Sequence, residues 1–255
     1  MLYGLYLSAQ GAQVQSKRLD VIANNLANAD TAGFKRDLTI AQTYHPYDVE
    51  YGTGRNLPGH LERVTGGTSL TDVVTDFKNG SLEETGARFD VALEGQGFLR
   101  VSDGQNEFLT RDGSLTQNAI GELVTEQGDQ VLDNTGTPIV IPANATEISI
   151  SADGVISVMD ELGVQSQVAQ LDIVVPQSLA DLEKIGDNRY ASNGPTSPAG
   201  LATRVRQGYV EVSGVNAISE TVQMIEASKA FETNLNLLKL QDETLSRLLQ
   251  SVPGR

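Results

Sequence analysis

Apolar residues recur every seven positions at both ends of the chain, but not in its middle. The N-terminal rows are Leu5, Ala12, Leu19 and Leu26, with Leu2, Ala9, Ser16 and Ala23 beside them. The C-terminal row is Met224, Phe231, Leu238, Leu245 and Val252. Such a repeat places an apolar stripe along one side of a helix, and another helix must cover that stripe. The pattern therefore predicts helices over residues 2–28 and 217–250.

The C-terminal helix carries start and stop signals of its own. Asn216, or Ser213 just before it, can cap the first turn, and Glu220 falls where an acidic side chain is favourable. Pro253 and Gly254 close the pattern.

The middle of the chain has the pattern of β-strands separated by glycine turns. The predicted strands are residues 89–93, 97–101, 138–141, 147–151, 155–158 and 170–175. Strands of this length and spacing are typical of antiparallel sheet in a barrel or sandwich, and alternating βα units are not evident. Residues 178–185 are the one short helix predicted there.

These patterns predict an α+β fold, in which coiled-coil-forming N- and C-terminal helices flank a central, mainly antiparallel β domain. The predicted segments are an N-terminal helix (1–30), an irregular connector (31–67), a β-rich head (68–212) and a C-terminal helix (213–255). A structureless connector of this length is unusual inside a compact domain. It is either an extended linker or a segment that orders against a neighbour.

The terminal helices are predicted to drive assembly, because packing them on each other covers only part of each stripe. We therefore expect the ends to be largely disordered in the monomer and to order when neighbouring copies pack on them. A repeated contact that does not close on itself would build a helical tube. The predicted assembly interface is Leu5, Ala12, Leu19, Asn24, Asn25, Leu26, Asn28, Met224, Phe231, Leu235, Leu238 and Leu245.

Composition excludes several functions. The net charge of −15 argues against nucleic acid as a partner and against an anionic membrane surface. The absence of cysteine excludes disulfides, thiolate metal sites and cysteine nucleophiles. No run of residues reads as a signal peptide or is long enough for membrane insertion.

The sequence gives only weak evidence for catalytic or ligand-binding residues. His45 and His60 lack the converging partners that a metal site needs. Gly95 and Gly97 begin a dinucleotide fingerprint, but Arg100 stands at its third glycine position.

An acid–base set of Asp90, Arg111 and Asp112 has no partner geometry, so turn or strand-pairing roles are predicted for it. No catalytic residue, cofactor or metal is predicted. The rival interpretation, a β-rich hydrolase, would need a converging constellation of His or carboxylate groups.

Three runs of sequence resemble bacterial flagellar rod and hook proteins. They are residues 19–36, with Asn-Asn-Leu-Ala-Asn at 24–28; residues 89–98, followed by 110–113 and 121–124; and residues 207–216, continuing through 224–227 and 231–232. The runs stand in family order and cover nearly the whole chain. The resemblance favours a register role for Asn24, Asn25 and Asn28, with amides bonding across subunits, over helix capping and solvent contact.

The resemblance implies a non-enzymatic, self-assembling subunit of the rod, the drive shaft that crosses the periplasm from motor to hook and serves motility. Its partners would be copies of itself and other rod proteins. The flagellar type III export apparatus would carry the chain unfolded and without a cleaved signal peptide.

Residues 74–82 and Phe231 favour the proximal (FlgF-like) over the distal (FlgG-like) rod type, with a distal or hook-type subunit as the alternative. The chain departs from the common family pattern at Gly214, Lys229 and residues 99–100.

Overall fold

The computed structural model describes residues 2–44, 67–200 and 203–251, which form two compact units. The helical unit takes the described residues of 1–28, 36–76 and 215–255. The β unit takes those of 29–35 and 77–214. The chain therefore passes between the units four times. The α+β class and the flanking helices are confirmed.

The two α-helices are α1, Leu2–Ala27, and α2, Ala217–Ser251. The predicted cap of α2 is also confirmed, because Asn216 Oδ1 accepts a hydrogen bond from the Ser219 amide at 3.0 Å. Val252, Pro253 and Gly254 lie outside the described residues. No helix in the described ranges combines the length and hydropathy needed to cross a bilayer.

The strands described are β1 Asp37–Tyr44, β2 Gly67–Thr75, β3 Leu82–Glu84, β4 Val91–Glu94, β5 Phe98–Ser102, β6 Glu107–Thr110, β7 Leu115–Gln117, β8 Leu123–Thr125, β9 Gln130–Val131, β10 Ala145–Ile150, β11 Val155–Asp160, β12 Gln165–Gln170, β13 Ile173–Pro176, β14 Leu182–Gly186, β15 Arg189–Ser192, β16 Thr196–Pro198, β17 Arg204–Gln207 and β18 Tyr209–Glu211.

In the helical unit, α1 packs against α2 and against a two-stranded antiparallel sheet of β1 and β2. The pairing runs from Asp37 opposite Thr75 to Tyr44 opposite Gly67, with a bulge between Ile40 and Ala41. This sheet corrects the predicted irregular connector over residues 37–44, where polar and apolar residues alternate as in a strand. It also shows that β2 belongs with the helices. The rest of the connector, with His45 and His60, lies outside the described residues.

The β unit is built from antiparallel pairs. Its main sheet has the strand order β14-β15-β6-β5-β9-β8-β7, and β13 joins it by pairing with β5 and β16. Strands β10, β11 and β12 form a three-stranded sheet, while β4 pairs with β17 and β3 with β18. A buried apolar core links these sheets through residues such as Val101, Leu123, Val131 and Ile156.

Two local predictions in the β unit are corrected. The predicted helix at 178–185 is a single 3-10 turn, Leu179–Asp181, followed by strand β14. Ser178 caps that turn, and Leu182 then takes extended backbone angles and begins pairing with β15. Residues 138–141 make isolated bridges instead of a strand, since Pro138 has no amide hydrogen to donate to a ladder.

Candidate assembly surface

The helices α1 and α2 turn one face toward each other inside the helical unit. Ala12 and Ile22 of α1 and Ala227 of α2 are buried there. The other predicted stripe residues lie half-buried beside them: Leu5, Leu19, Leu26, Met224, Phe231, Leu238 and Leu245. Leu235 is exposed, as are Ala9 and Ala23 of the second predicted row on α1. Contacts of these residues with other copies stay a prediction.

A second apolar stripe on α2 faces away from this packed side, and the sequence reasoning missed it. Its residues, Ile218, Val222 and Ile225, are 80%, 51% and 50% exposed. Their spacing of four and three residues places them on one face, opposite the buried Glu220 and Ala227. We call these three residues the outward stripe. The spacing of these three apolar residues is the sequence signal that indicates the stripe.

The β1–β2 sheet also exposes an apolar patch. Leu38 and Ile40 alternate onto one side of β1, and Val74 stands directly opposite Leu38 on β2. All three side chains are exposed. This sheet patch is a second surface of the helical unit that apolar contact with another chain would stabilise.

The three asparagines predicted to set register across subunits have different environments. Asn25 is buried, and its amide makes two hydrogen bonds to Asp37, donating to the carbonyl at 2.8 Å and accepting from the amide at 2.9 Å. Asn28 Nδ2 donates to the Asn24 carbonyl at 2.8 Å, an end-of-helix contact. The Asn25 amide therefore anchors β1 to α1 in the same chain, and its role across subunits stays a prediction. Asn24 is exposed and remains available to a neighbour.

We expect Asn25→Ala to destabilise the β1–α1 contact by about 1–3 kcal/mol, because both backbone groups of Asp37 lose their partner. Hydrogen exchange of the β1 amides measures this effect. Asn24→Ala is the matched control and should leave those amides unchanged, and neither change should alter melting of the β unit. Equal exchange in the two variants would contradict the anchoring role.

An ion pair between a partly exposed arginine and a buried glutamate holds the start of α2. Arg36 Nη2 lies 2.6 Å from Glu220 Oε1, and Glu220 is almost fully buried in the first turn of α2. Arg36, Glu220 and Asn25 line a cleft of about 430 Å³ between α1, the β1–β2 sheet and α2. The polar groups of this cleft tie three elements of the helical unit together.

Three side chains from the three motif runs meet in the β unit. Lys35 Nζ donates to Glu211 Oε1 at 2.6 Å, and Arg111 Nη1 lies 3.5 Å from Glu211 Oε2. Glu211 Oε1 also accepts from the Gly80 amide at 2.6 Å. All three charged side chains are buried. We call Lys35, Arg111 and Glu211 the motif cluster. Burial lowers the pKa of the Arg111 guanidinium, and the Glu211 carboxylate opposes that shift.

The motif cluster secures the short segment 29–35, which we call the strap. The Gly33 amide donates to the Glu211 carbonyl at 2.7 Å, and the Phe34 carbonyl accepts from the Gly214 amide at 2.8 Å. Gly33 has φ +67°, and a Cβ there would overlap the Arg111 carbonyl, so only glycine fits. The strap is therefore an integral part of the β unit.

Gly95, Gly97, Asp90 and Asp112 take part in local structure of the β unit. Gly95 and Gly97 take positive φ in the turn between β4 and β5. Asp90 Oδ2 accepts from the Thr85 hydroxyl at 2.6 Å, and Asp112 Oδ1 accepts from the Ser114 amide at 2.9 Å.

Burial raises the pKa of Asp112 from 3.8 to about 6. Because the folded pKa lies above the unfolded one, the stabilising contribution of protonated Asp112 is complete below about pH 4 and is lost as the pH rises through about 6. We expect Asp112→Asn to keep the Ser114 bond and to raise the free energy of unfolding at pH 7 by up to about 3 kcal/mol. Urea unfolding of both chains from pH 4 to 7 measures the difference. A constant difference over that window would contradict the expectation.

Comparison with known proteins gives matches at both ends and in the β unit. The family described as "Flagella basal body rod protein" matches residues 5–35. The "Flagellar hook protein FlgE/F/G D1 domain" matches residues 92–158, and the "Flagellar basal body rod FlgEFG protein C-terminal" matches residues 206–251. These matches include each residue of the motif cluster.

Named relatives cover almost the whole chain. The flagellar basal-body rod protein FlgG of Buchnera aphidicola subsp. Acyrthosiphon pisum is 36% identical over 98% of this chain and 100% of its own length. FlgG of Bacillus subtilis is 30% identical over 98% of both chains. The rod protein FlgF of Caulobacter vibrioides is 31% identical over 94% of this chain and 92% of its own.

The fold and these matches define a class, the structural proteins of the bacterial flagellum. The chain belongs to the FlgE/F/G family of flagellar rod and hook proteins. It is a structural rod subunit of the basal body and assembles with other rod components.

Proposed function

We propose that the chain polymerises through its terminal helices and transmits torque from the motor to the hook. The outward stripe carries this proposal, because three large apolar side chains of α2 stay exposed after α2 has packed on α1. Burying a fully exposed side chain of this kind contributes roughly 1.5–3 kcal/mol, and at each position a neighbouring copy would gain the share that corresponds to the exposed fraction. A continuous helical seam resists slippage better than loop contacts do, so torque passes through the helices. The β unit forms lateral contacts with neighbouring subunits.

We place the subunit at the proximal end of the rod. Residues 74–82 and Phe231 support that position, since they are closer to the proximal type. A distal or hook-type position is the second candidate, and the relatives named FlgG support it.

Electron microscopy of purified basal bodies separates these positions. An epitope inserted beside Gly104, in the exposed turn between β5 and β6, would carry the immunogold label. We expect label at the motor end of the rod, and we expect cells without the chain to build no distal rod. Label at the hook end would overturn the proximal position.

We further propose export through the flagellar export apparatus into the periplasmic rod without cleavage of a signal peptide. Helix α1 supports this, because it packs against α2 in the helical unit, and cleavage behind it would remove that packing. Mass spectrometry of the chain from purified basal bodies should find a fragment that includes Leu2. A mature chain beginning after α1 would contradict the proposal.

A further inference from the structure

Glycines of α1 face amide side chains of α2 at two places. A Cβ on Gly4 would lie 3.3 Å from Gln241 Nε2, and one on Gly11 would lie 3.0 Å from Asn234 Oδ1. The two glycines are seven residues apart, and so are the two amide residues. The earlier glycine faces the later amide residue, so the two helices run in opposite directions along these contacts. The helices are therefore antiparallel at this seam, and both contacts belong to one register. We call these two contacts the glycine–amide layers.

Extending both spacings by one heptad aligns Arg18 with Ala227. There the long polar residue lies on α1 and the small one on α2, and Ala227 is almost fully buried. Each of these three layers thus pairs a small residue with a long polar one. All three layers are complementary together in one register only.

Sliding α1 by one heptad breaks one layer in either direction, although each slide keeps one glycine opposite an amide. One slide sets Arg18 opposite Asn234, two long polar side chains in one layer. The other sets Gly11 opposite Ala227, which leaves a void. A seam of leucines alone would tolerate both slides, because every heptad would present the same knob.

The amides also cost stability, which argues against a packing role. Within the described residues, Gln241 Oε1 is buried and accepts no hydrogen bond. Asn234 Nδ2 is satisfied only locally, by donating to the Ala230 carbonyl at 3.0 Å. Leucine would bury more apolar surface at both positions, whereas a polar residue in a seam is a known device for specifying register.

We propose that the glycine–amide layers fix the register of α1 against α2 and so determine where each helix presents its outward surface. In a shaft of many copies, repeating apolar stripes offer each helix several competing alignments. The layers make one alignment favourable. This inference rests on the helix-mediated assembly proposed above.

A swap of one layer tests the inference with an unchanged composition. Gly11→Asn sets two amides against each other, and Asn234→Gly leaves a void, so each should impair rod assembly. The double variant Gly11→Asn with Asn234→Gly rebuilds the layer in reverse, and its helix propensities cancel. We expect it to restore swimming and the number of hooked basal bodies. The control is Asn236→Gly, which has the same propensity cost on the exposed side of α2 and should be neutral.

Cysteine pairs in this cysteine-free chain report the register directly. In basal bodies treated with a short bis-maleimide, Gly4→Cys with Gln241→Cys reports the native register, and Gly4→Cys with Leu248→Cys reports the register shifted by one heptad. We expect Asn234→Gly to lower the ratio of native to shifted intrachain product about tenfold, or ~1.4 kcal/mol of register preference. The swap should return the ratio to that of the unswapped chain.

Each outcome decides between the alternatives. The register role would be overturned by any of three results. The double variant could assemble rods no better than the worse single variant, or Asn234→Gly could leave the ratio of native to shifted product unchanged. The third result is a loss of rod assembly in Asn236→Gly equal to that in Asn234→Gly. One further outcome would count against helix-mediated assembly instead. In that outcome basal bodies form normally, but the chain with the native-register cysteine pair is absent from them.

Discussion

Replacing Glu211 with glutamine is expected to lower the free energy of unfolding of the β unit by about 3–5 kcal/mol, the usual effect of breaking a buried ion pair. The carboxylate lies between two buried cations, Lys35 and Arg111. Glutamine has nearly the same shape but removes the negative charge that both cations contact. The change therefore acts through charge and leaves the packing almost intact.

The number of charges that remain in the motif cluster predicts which variant loses more free energy of unfolding. Lys35→Met removes one cation and leaves Arg111 with Glu211, so we expect a smaller loss than for Glu211→Gln. Glu83→Gln on the neighbouring strand β3 is the matched control, since that side chain is exposed and surface changes are usually within about 0.5 kcal/mol. Urea unfolding of the full chain, followed by circular dichroism, measures all three. A loss for Lys35→Met equal to or larger than that for Glu211→Gln would contradict this account of the cluster.

The second large effect is expected at the outward stripe. The triple change Ile218→Ser, Val222→Ser and Ile225→Ser removes roughly 3–5 kcal/mol of apolar burial between subunits if neighbours cover the exposed part of all three side chains. We expect cells with this variant to lack rods beyond this subunit and to be non-motile. Serine has a helix propensity close to those of isoleucine and valine, so α2 should still form.

Two controls separate assembly from folding. Leucine at all three positions keeps the stripe apolar and should preserve swimming. Unfolding of the β unit should be the same in the serine variant, the leucine variant and the unmodified chain. Normal rods in the serine variant would show that the stripe has no role in assembly.

The sequence predicted the features that depend on local pattern. The two helices followed from the heptad rows, and the cap at Asn216 followed from its position before the first turn. The same reasoning failed where short-range and long-range preferences compete. Residues 178–185 have helical spacing, but β14 pairs with β15, and that pairing decides the structure.

The motif cluster was beyond prediction from pattern, because Lys35 and Glu211 are 176 positions apart. The runs that contain them were recognised by resemblance, but nothing in the sequence shows that the three charges meet. Asn25 is a similar case. Its polar side chain in a helix seam indicated a subunit contact, whereas β1, which the sequence analysis took for an irregular connector, supplies its partner within the chain.

The central claim is that other subunits cover the outward stripe in the assembled rod, and maleimide labelling of Ile225→Cys tests it most directly. The chain has no other cysteine. In the purified chain the thiol should react rapidly, because residue 225 is exposed with α2 packed on α1. In intact basal bodies we expect the reaction to be at least about tenfold slower, as for other groups protected by packing. Equal rates in the purified chain and in the rod would contradict the account.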